Sequence, residues 1–321
     1  MLWRVNSMSP RKVSVSEAPL SRGRNIEWPT VAVAVAIYSA WLTVTYLFRT
    51  FPPLLLFVAG GWLTAWHSSL QHEVIHGHPT PSRRINLFIG AVPISLWLPF
   101  ELYRRSHLQH HEAESVTEPG RDPESRYLAQ RGGLFGRMER MLAAIEGPLV
   151  GRLLIGPPLE IIRSLAKDVT AAVRGDRATL RAWAWHAVGA APLLVWLRCV
   201  CHLPLSTYAV FFIYPGTALL LLRSFAEHRA HPLPTRRVAV VEHAPFLGLL
   251  FLHNNLHAAH HAWPELAWYR LPRIYRQHRS RLLRDNGGLV YAGYQDVLRR
   301  FLLRPHDRRT HAEALAEAEG S

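Results

Sequence analysis

Residues 182–222 read AWAWHAVGAAPLLVWLRCVCHLPLSTYAVFFIYPGTALLLL, forty-one positions with one formal charge, Arg198, near the middle. A helix that crosses a bilayer needs about 20 mostly apolar residues. The stretch is long enough for two, with a turn between Arg198 and Pro204. Two further runs lie upstream. Val31 to Phe48 has eighteen residues without a charge, and Thr50 to Gln71 has twenty-two. One such run is often the buried helix of a soluble protein, but four argue for a membrane. The expected fold is an all-α integral membrane protein with four transmembrane helices in two hairpins.

Ile85 to Phe100 is also uncharged, but it has only sixteen residues and contains Pro93 and Pro99. It is expected to be interfacial or re-entrant. Met141 to Leu165 is interrupted by Pro148, Pro157, Pro158 and several charges, and is expected to lie on the membrane surface. The membrane domain then spans 31–304. An N-terminal tail, 1–30, precedes it, and a polar C-terminal tail, 305–321, is expected to fray.

The net charge is +14 and comes almost wholly from arginine, since Lys12 and Lys167 are the only lysines. Strong basicity can mark nucleic-acid binding. Here the cations flank apolar runs, which fits membrane orientation and anionic lipid instead, and no nucleic-acid partner is expected. Arg4, Arg11, Lys12, Arg22 and Arg24 place the N-terminal tail in the cytoplasm by the positive-inside tendency. The first twenty-seven residues are polar, so no cleavable signal peptide is expected. The arginine bias fits a GC-rich bacterial genome. Cys199 and Cys201 are the only cysteines, too few for a disulfide framework or a thiolate metal site.

Nineteen histidines are present, and nine form three clusters and a satellite. The clusters are His72-Glu-Val-Ile-His76, His107-Leu-Gln-His110-His111 and His257-Ala-Ala-His260-His261. The satellite is His228. On a helix, positions i, i+3 and i+4 share a face, so each cluster aims its imidazoles at one point. A lone histidine is usually a core or surface residue, but the same spacing recurring three times outweighs that reading. Imidazole binds iron, copper and zinc. Eight clustered rings are too many for one ion and suit two side by side, with coordination positions left open. With the N-terminus inside and the 85–100 segment not crossing, all nine histidines reach the cytoplasmic face.

The boxes His-x3-His, His-x2-His-His and His-x2-His-His, in that order between two hairpins, resemble the membrane fatty acid desaturase and hydroxylase superfamily. Glu118-Pro-Gly-Arg-Asp122-Pro-Glu-Ser is similar to the acidic stretch that follows box two in bacterial members. The resemblance runs from about Thr30 to Pro272. It implies a bacterial non-haem diiron enzyme with a cytoplasmic helical cap holding two Fe ions, and O2 as co-substrate. It implies ligand roles for His72, His76, His107, His110, His111, His257, His260 and His261. His228 matches the family's ninth ligand, with His243 as the alternative. Glu73 and Glu227 are candidates to orient imidazoles, and Asn254 and Asn255 to hold a metal-bound water. No catalytic residue separate from the ligands is implied.

The activity so implied is an O2-dependent desaturase of lipid and fatty acid metabolism. It would place a double bond in a fatty acyl or related lipid-like chain at the bacterial inner membrane, with the site on the cytoplasmic side. No rubredoxin-like Cys segment or His-Pro-Gly-Gly haem motif is present, so electrons are expected from a separate ferredoxin or rubredoxin with its reductase. Three alternatives stand. One is a hydroxylase or ketolase of alkane or carotenoid type. Another is a desaturase of a specialised metabolite such as dihydrorhizobitoxine, whose subgroup residues 223–229 (RSFAEHR) and 254–261 (NNLHAAHH) resemble. The third is a membrane metal transporter, disfavoured because transporters place polar ligands at mid-bilayer.

Overall fold

Proline and aspartate set where the long helices begin. In the computed structural model, which describes residues 25–113, 115–129, 132–308 and 310–319, α1 (Trp28–Tyr46) and α2 (Pro53–Ile75) each carry proline in the first turn. There the missing N–H has no helical partner to lose and φ is already set. The tail cations Arg4, Arg11, Lys12, Arg22 and Arg24 lie outside the described residues. After α2 come α3 (Arg83–Gly90), α4 (Phe100–Glu112), α5 (Gly133–Ile145), α6 (Leu149–Leu154) and α7 (Gly156–Val173). The next helix, α8 (Arg177–Val195), starts under Asp176, whose carboxylate accepts from the Ala178 amide at 2.9 Å. It runs into a π-helical turn, Trp196–Val200, and residues 201–204 turn the chain into α9 (Leu205–Glu227).

Among the described helices, α1 and α9 are both long and apolar enough to cross a bilayer, with mean hydropathy 1.4 and 1.7. α2 lies between them and is the centre of the bundle. Its last turn is polar, Gln71-His72-Glu73, and buried. The α2 and α9 backbones pack in close contact. A Cβ on Gly60 would sit 2.3 Å from the Phe211 carbonyl oxygen, and one on Gly216 would sit 2.5 Å from the Thr64 Cβ. Small residues allow such contact, and it takes the place of the hydrophobic drive that lipid does not supply. Side chains on the outer faces, such as Val35, Leu55, Trp185 and Val210, are exposed and apolar.

The 85–100 segment is helical only in α3, and residues 91–99 are irregular. Its carbonyls are satisfied from neighbouring helices. The Tyr208 hydroxyl donates to the Ile94 carbonyl at 2.7 Å and itself accepts from Trp41 Nε1 at 2.9 Å. His186 Nε2 donates to the Leu96 carbonyl at 2.8 Å. Irregular backbone in an apolar setting needs such partners. The 141–165 stretch divides among α5, α6 and α7, which leave Met141, Leu154 and Ile162 exposed.

The remainder builds a cap. β1 (Val240–Val241) pairs in parallel with β2 (Val290–Tyr291). Around this pair lie α10 (Pro245–Leu250), α11 (His257–Ala262), α12 (Leu271–Asp285) and α13 (Tyr294–Phe301). The C-terminal tail departs from expectation, because it does not fray over its described residues. His306 bonds the Tyr291 hydroxyl at 2.5 Å, Asp307 accepts from the Tyr127 hydroxyl, and α14 (His311–Glu319) follows. These polar residues read as a loose end only until their partners, far away in sequence, are known.

Gly60→Ala should destabilise the protein by about 1–3 kcal/mol through overpacking. Gly189→Ala, whose Cβ would meet its nearest neighbour at 3.6 Å, is the control. Thermal unfolding in detergent followed by size-exclusion fluorescence separates them. Equal midpoints would contradict the close α2–α9 contact.

Candidate metal centre

Four segments deliver the histidines. The end of α2 carries His72 and His76, and α4 carries His107, His110 and His111. His228 follows directly on α9, and α11 carries His257, His260 and His261. α11 has only six residues, so its position is set by its moorings. Asn255 Nδ2 donates to the Val241 carbonyl at 2.7 Å, the Val241 amide donates back to the Asn255 carbonyl at 2.8 Å, and the Ala258 amide donates to the Ala239 carbonyl at 3.1 Å.

All nine rings converge in two groups. His72, His76, His107, His111 and His260 form one, and His110, His228, His257 and His261 form the other. Within each group the ligand atoms lie within 4.8 Å of one another. The boxes do not map onto the groups. His107 and His111, an i, i+4 pair, serve the first group, while His110 between them serves the second. Box three divides in the mirrored sense.

The outer ring nitrogens are committed. His110 Nδ1 donates to Asp122 at 2.8 Å and His107 Nδ1 to Glu124 at 3.2 Å. His257 Nδ1 donates to Asn254 Oδ1 at 3.0 Å, and His228 Nδ1 to the Arg237 carbonyl at 3.3 Å. A neutral imidazole carries one proton. In its neutral form each of these rings therefore presents a bare Nε2 lone pair inward. Yet His257 and His228 Nε2 are 2.9 Å apart, and His76 and His107 Nε2 are 3.0 Å apart. His72 Nε2 is buried with no hydrogen-bond partner.

A cation answers all three observations. Imidazole nitrogens about 2.1 Å from an ion, at right angles to one another, lie about 3.0 Å apart. The Nε2···Nε2 contacts of 2.9–3.3 Å match that edge. Right-angled geometry with all-imidazole donors suits a transition metal of five or six coordination. Five and four nitrogens would then leave open positions. The residues fit a pair of metal ions.

Burial, and then neighbouring rings, oppose the charged form of His111, His228, His257, His260 and His261. His111 is pushed down to about 2 by burial and by His107 and His110, and His228 down to about 3 by burial and by His110. His257, His260 and His261 lie well below 6.5 for the same reasons. His110 is the exception. Burial opposes its charge, but the Asp122 hydrogen bond and nearby carboxylates prevail and raise it. Asp122 and Glu124 are both lowered, because the His110 and His107 rings outweigh their burial.

Some expectations hold and others need correction. Asn255 Nδ2 holds the β1 backbone, and its Oδ1 is buried without a hydrogen-bond partner. Asn254 Oδ1 fixes His257, in keeping with a supporting role beside the ligands, and its Nδ2 donates to Glu227 Oε1 at 3.0 Å. Glu227 meets the expectation, acting on His257 through Asn254 and lying 3.5 Å from its Nδ1. Glu73 orients no imidazole: it stands 3.8 Å from His72 Nδ1, beyond hydrogen-bond reach, and accepts from the Trp268 amide at 3.1 Å. His243 is exposed on the Ala292 carbonyl at 2.9 Å, away from both groups. Asp122 and Glu124 hold imidazoles without having been assigned that role. Their signal was the acid-Pro-acid step just after box two.

A family model described as fatty acid desaturase matches residues 49–293, about three quarters of the chain. No curated protein matches the chain.

Asp122→Asn should weaken metal binding about 10–100-fold, the usual effect of losing such a partner, as read by competition with a chelator. The pH dependence follows from the ring environments. A histidine lowered below 6.5 stabilises the fold fully above that value and loses its contribution as pH falls toward the folded value. His110, raised, contributes fully below 6.5 and loses its contribution as pH rises. The lowered rings are the more numerous. The metal-free protein should therefore unfold at progressively lower temperature from about pH 7 to about pH 5, and a flat profile would count against neutral buried rings.

Proposed function

The chain belongs to the fatty acid desaturase family, and on that premise we propose that it is a membrane-bound, O2-dependent desaturase whose nine histidines hold two iron ions. The observation that carries this reading is the convergence of nine imidazoles in two groups with Nε2 contacts of 2.9–3.3 Å, among them His228 and His257, both of whose Nδ1 atoms are committed outward. The reaction takes a CH2–CH2 unit, O2, two electrons and two protons, and gives CH=CH and two waters. Bound iron supplies the oxidising chemistry that no side chain possesses.

The residues do the rest. Asp122, Glu124, Asn254 and the Arg237 carbonyl retain the Nδ1 protons, so each Nε2 stays a neutral donor. His72, His107, His257 and His260 are each about 2% exposed, which keeps water from the oxidant. The chain has two cysteines, one exposed and one buried, and neither builds a redox cluster. A separate donor of ferredoxin or rubredoxin type would therefore deliver the electrons.

The same reading sets α1, α2, α8 and α9 across the bacterial inner membrane as two hairpins within the 31–304 domain. The helical cap and both chain ends then face the cytoplasm. The lipid-like exterior of α1, α8 and α9 supports this arrangement, as do the α2 and α9 ends that reach the histidines together.

Purified protein from iron-replete cells should contain about two irons per chain, as the two-group geometry requires. One zinc and no iron would sink the reading. His107→Ala and His228→Ala should each lower bound iron and abolish product formed in a host lacking the activity, whereas His243→Ala should retain both. Reporter fusions before Val31 and after Arg304 should both mark the cytoplasm, and one in the 199–204 turn should mark the opposite side. A C-terminal fusion on that opposite side would break the four-span topology.

A further inference from the structure

Beside the two groups of imidazoles lies a cavity of about 390 Å³. Its wall comes from the helix turns that precede the histidines. Ser68 stands four residues before His72, Tyr103 four before His107, and Arg223 five before His228, and all three line the cavity. Glu124 and Glu227 complete its inner end. A substrate there would lie against the metal centre.

This wall is wrong for a hydrocarbon tail. The Arg223 side chain is only 12% exposed. Its Nε is 3.1 Å from Glu227 Oε1, close enough for an ion pair but not in hydrogen-bond geometry. Its buried Nη1 has no hydrogen-bond partner, and the same holds for Trp97 Nε1 on the same cavity. Toward the outer end, Arg163 pairs with Glu146 at 2.6 Å and Arg126 pairs with Glu160, beside Lys167. A methylene chain would strip water from these groups and return no hydrogen bonds. A guanidinium N–H left open in a buried site is matched by an anionic oxygen such as that of a carboxylate. The volume is near the lower end for small-molecule pockets, roughly 300–1,000 Å³.

We propose that the substrate is a compact, polar carboxylate rather than a long acyl chain or its thioester, and that Arg223 binds the carboxylate and so positions a C–H unit at the metal centre. The proposal rests on the diiron desaturase reading and deepens it by naming the substrate class. Arg223 is then a substrate-binding residue, steadied by the Tyr103 side chain, and Ser68 on the same wall offers a hydroxyl to the remaining polar groups.

The test uses iron-loaded full-length protein in lipid nanodiscs. Hexanoate, norleucine, methyl hexanoate and stearoyl-coenzyme A are titrated, and binding is read by saturation-transfer NMR and by the shift in unfolding temperature. Hexanoate or norleucine should bind, and methyl hexanoate should bind about 10–100-fold more weakly, the loss expected for one charge-assisted contact. Arg223→Gln should lose the carboxylate preference with iron content intact, and Arg223→Lys should restore part of it. If the Gln variant does not fold, the acid-against-ester comparison on the natural chain decides. Stronger binding of stearoyl-coenzyme A, no carboxylate binding, or an unchanged preference in Arg223→Gln overturns the proposal. Iron is measured on the same samples. Chains without iron would count against the diiron reading itself, whereas iron-loaded chains indifferent to carboxylates would count against this proposal alone.

Discussion

An imidazole whose one proton is held by an outward acceptor faces inward as a lone pair, and the His228 and His257 lone pairs, 2.9 Å apart, repel. The rest of the structure depends on that constraint. The Asp122, Glu124, Asn254 and Arg237 contacts settle the tautomers of rings on three different segments. At His228 and His257 burial also opposes the other escape, protonation. The fold brings the rings together, and at the His228–His257 contact a cation is what relieves the facing lone pairs.

The membrane-type architecture serves this convergence. α2 is the strut: glycines set it flush against α9, and its buried polar end reaches the cap. The same contact sets α9, and with it His228, relative to His72. The irregular 91–99 stretch, tied by Tyr208 and His186, leads directly into α4 and fixes where box two begins. Polar bonds that are modest in water are harder to replace in an apolar surrounding, so these ties act as positional constraints on the metal groups.

Much of this was legible in the sequence, for a physical reason. Helical periodicity is local, so the i, i+3, i+4 spacing exposed all eight box histidines, and uncharged runs marked the long helices. The allotment of rings to two groups was not legible. It depends on which faces α4 and α11 turn toward each other, and that is decided by Asn255 and by the β1 strand far from either box. Asn254 and Asn255 show the same limit. They are adjacent and chemically identical, yet the turn sends one to His257 and the other to Val241. Arg223 directly follows the apolar 182–222 run, and nothing local marks it as different from the other arginines. Only the packing of α9 against α2 and α4 shows that it faces inward.

The division of boxes two and three has a consequence for assembly. Both α4 and α11 contribute rings to both groups, so neither group owns a scaffold of its own. An ion captured by one group would stiffen two helices on which the other depends, and the second ion would then meet ligands whose ordering cost had largely been met. Filling would be cooperative, with singly occupied chains a scarce species. Metal supply would then divide the population between empty and fully charged molecules.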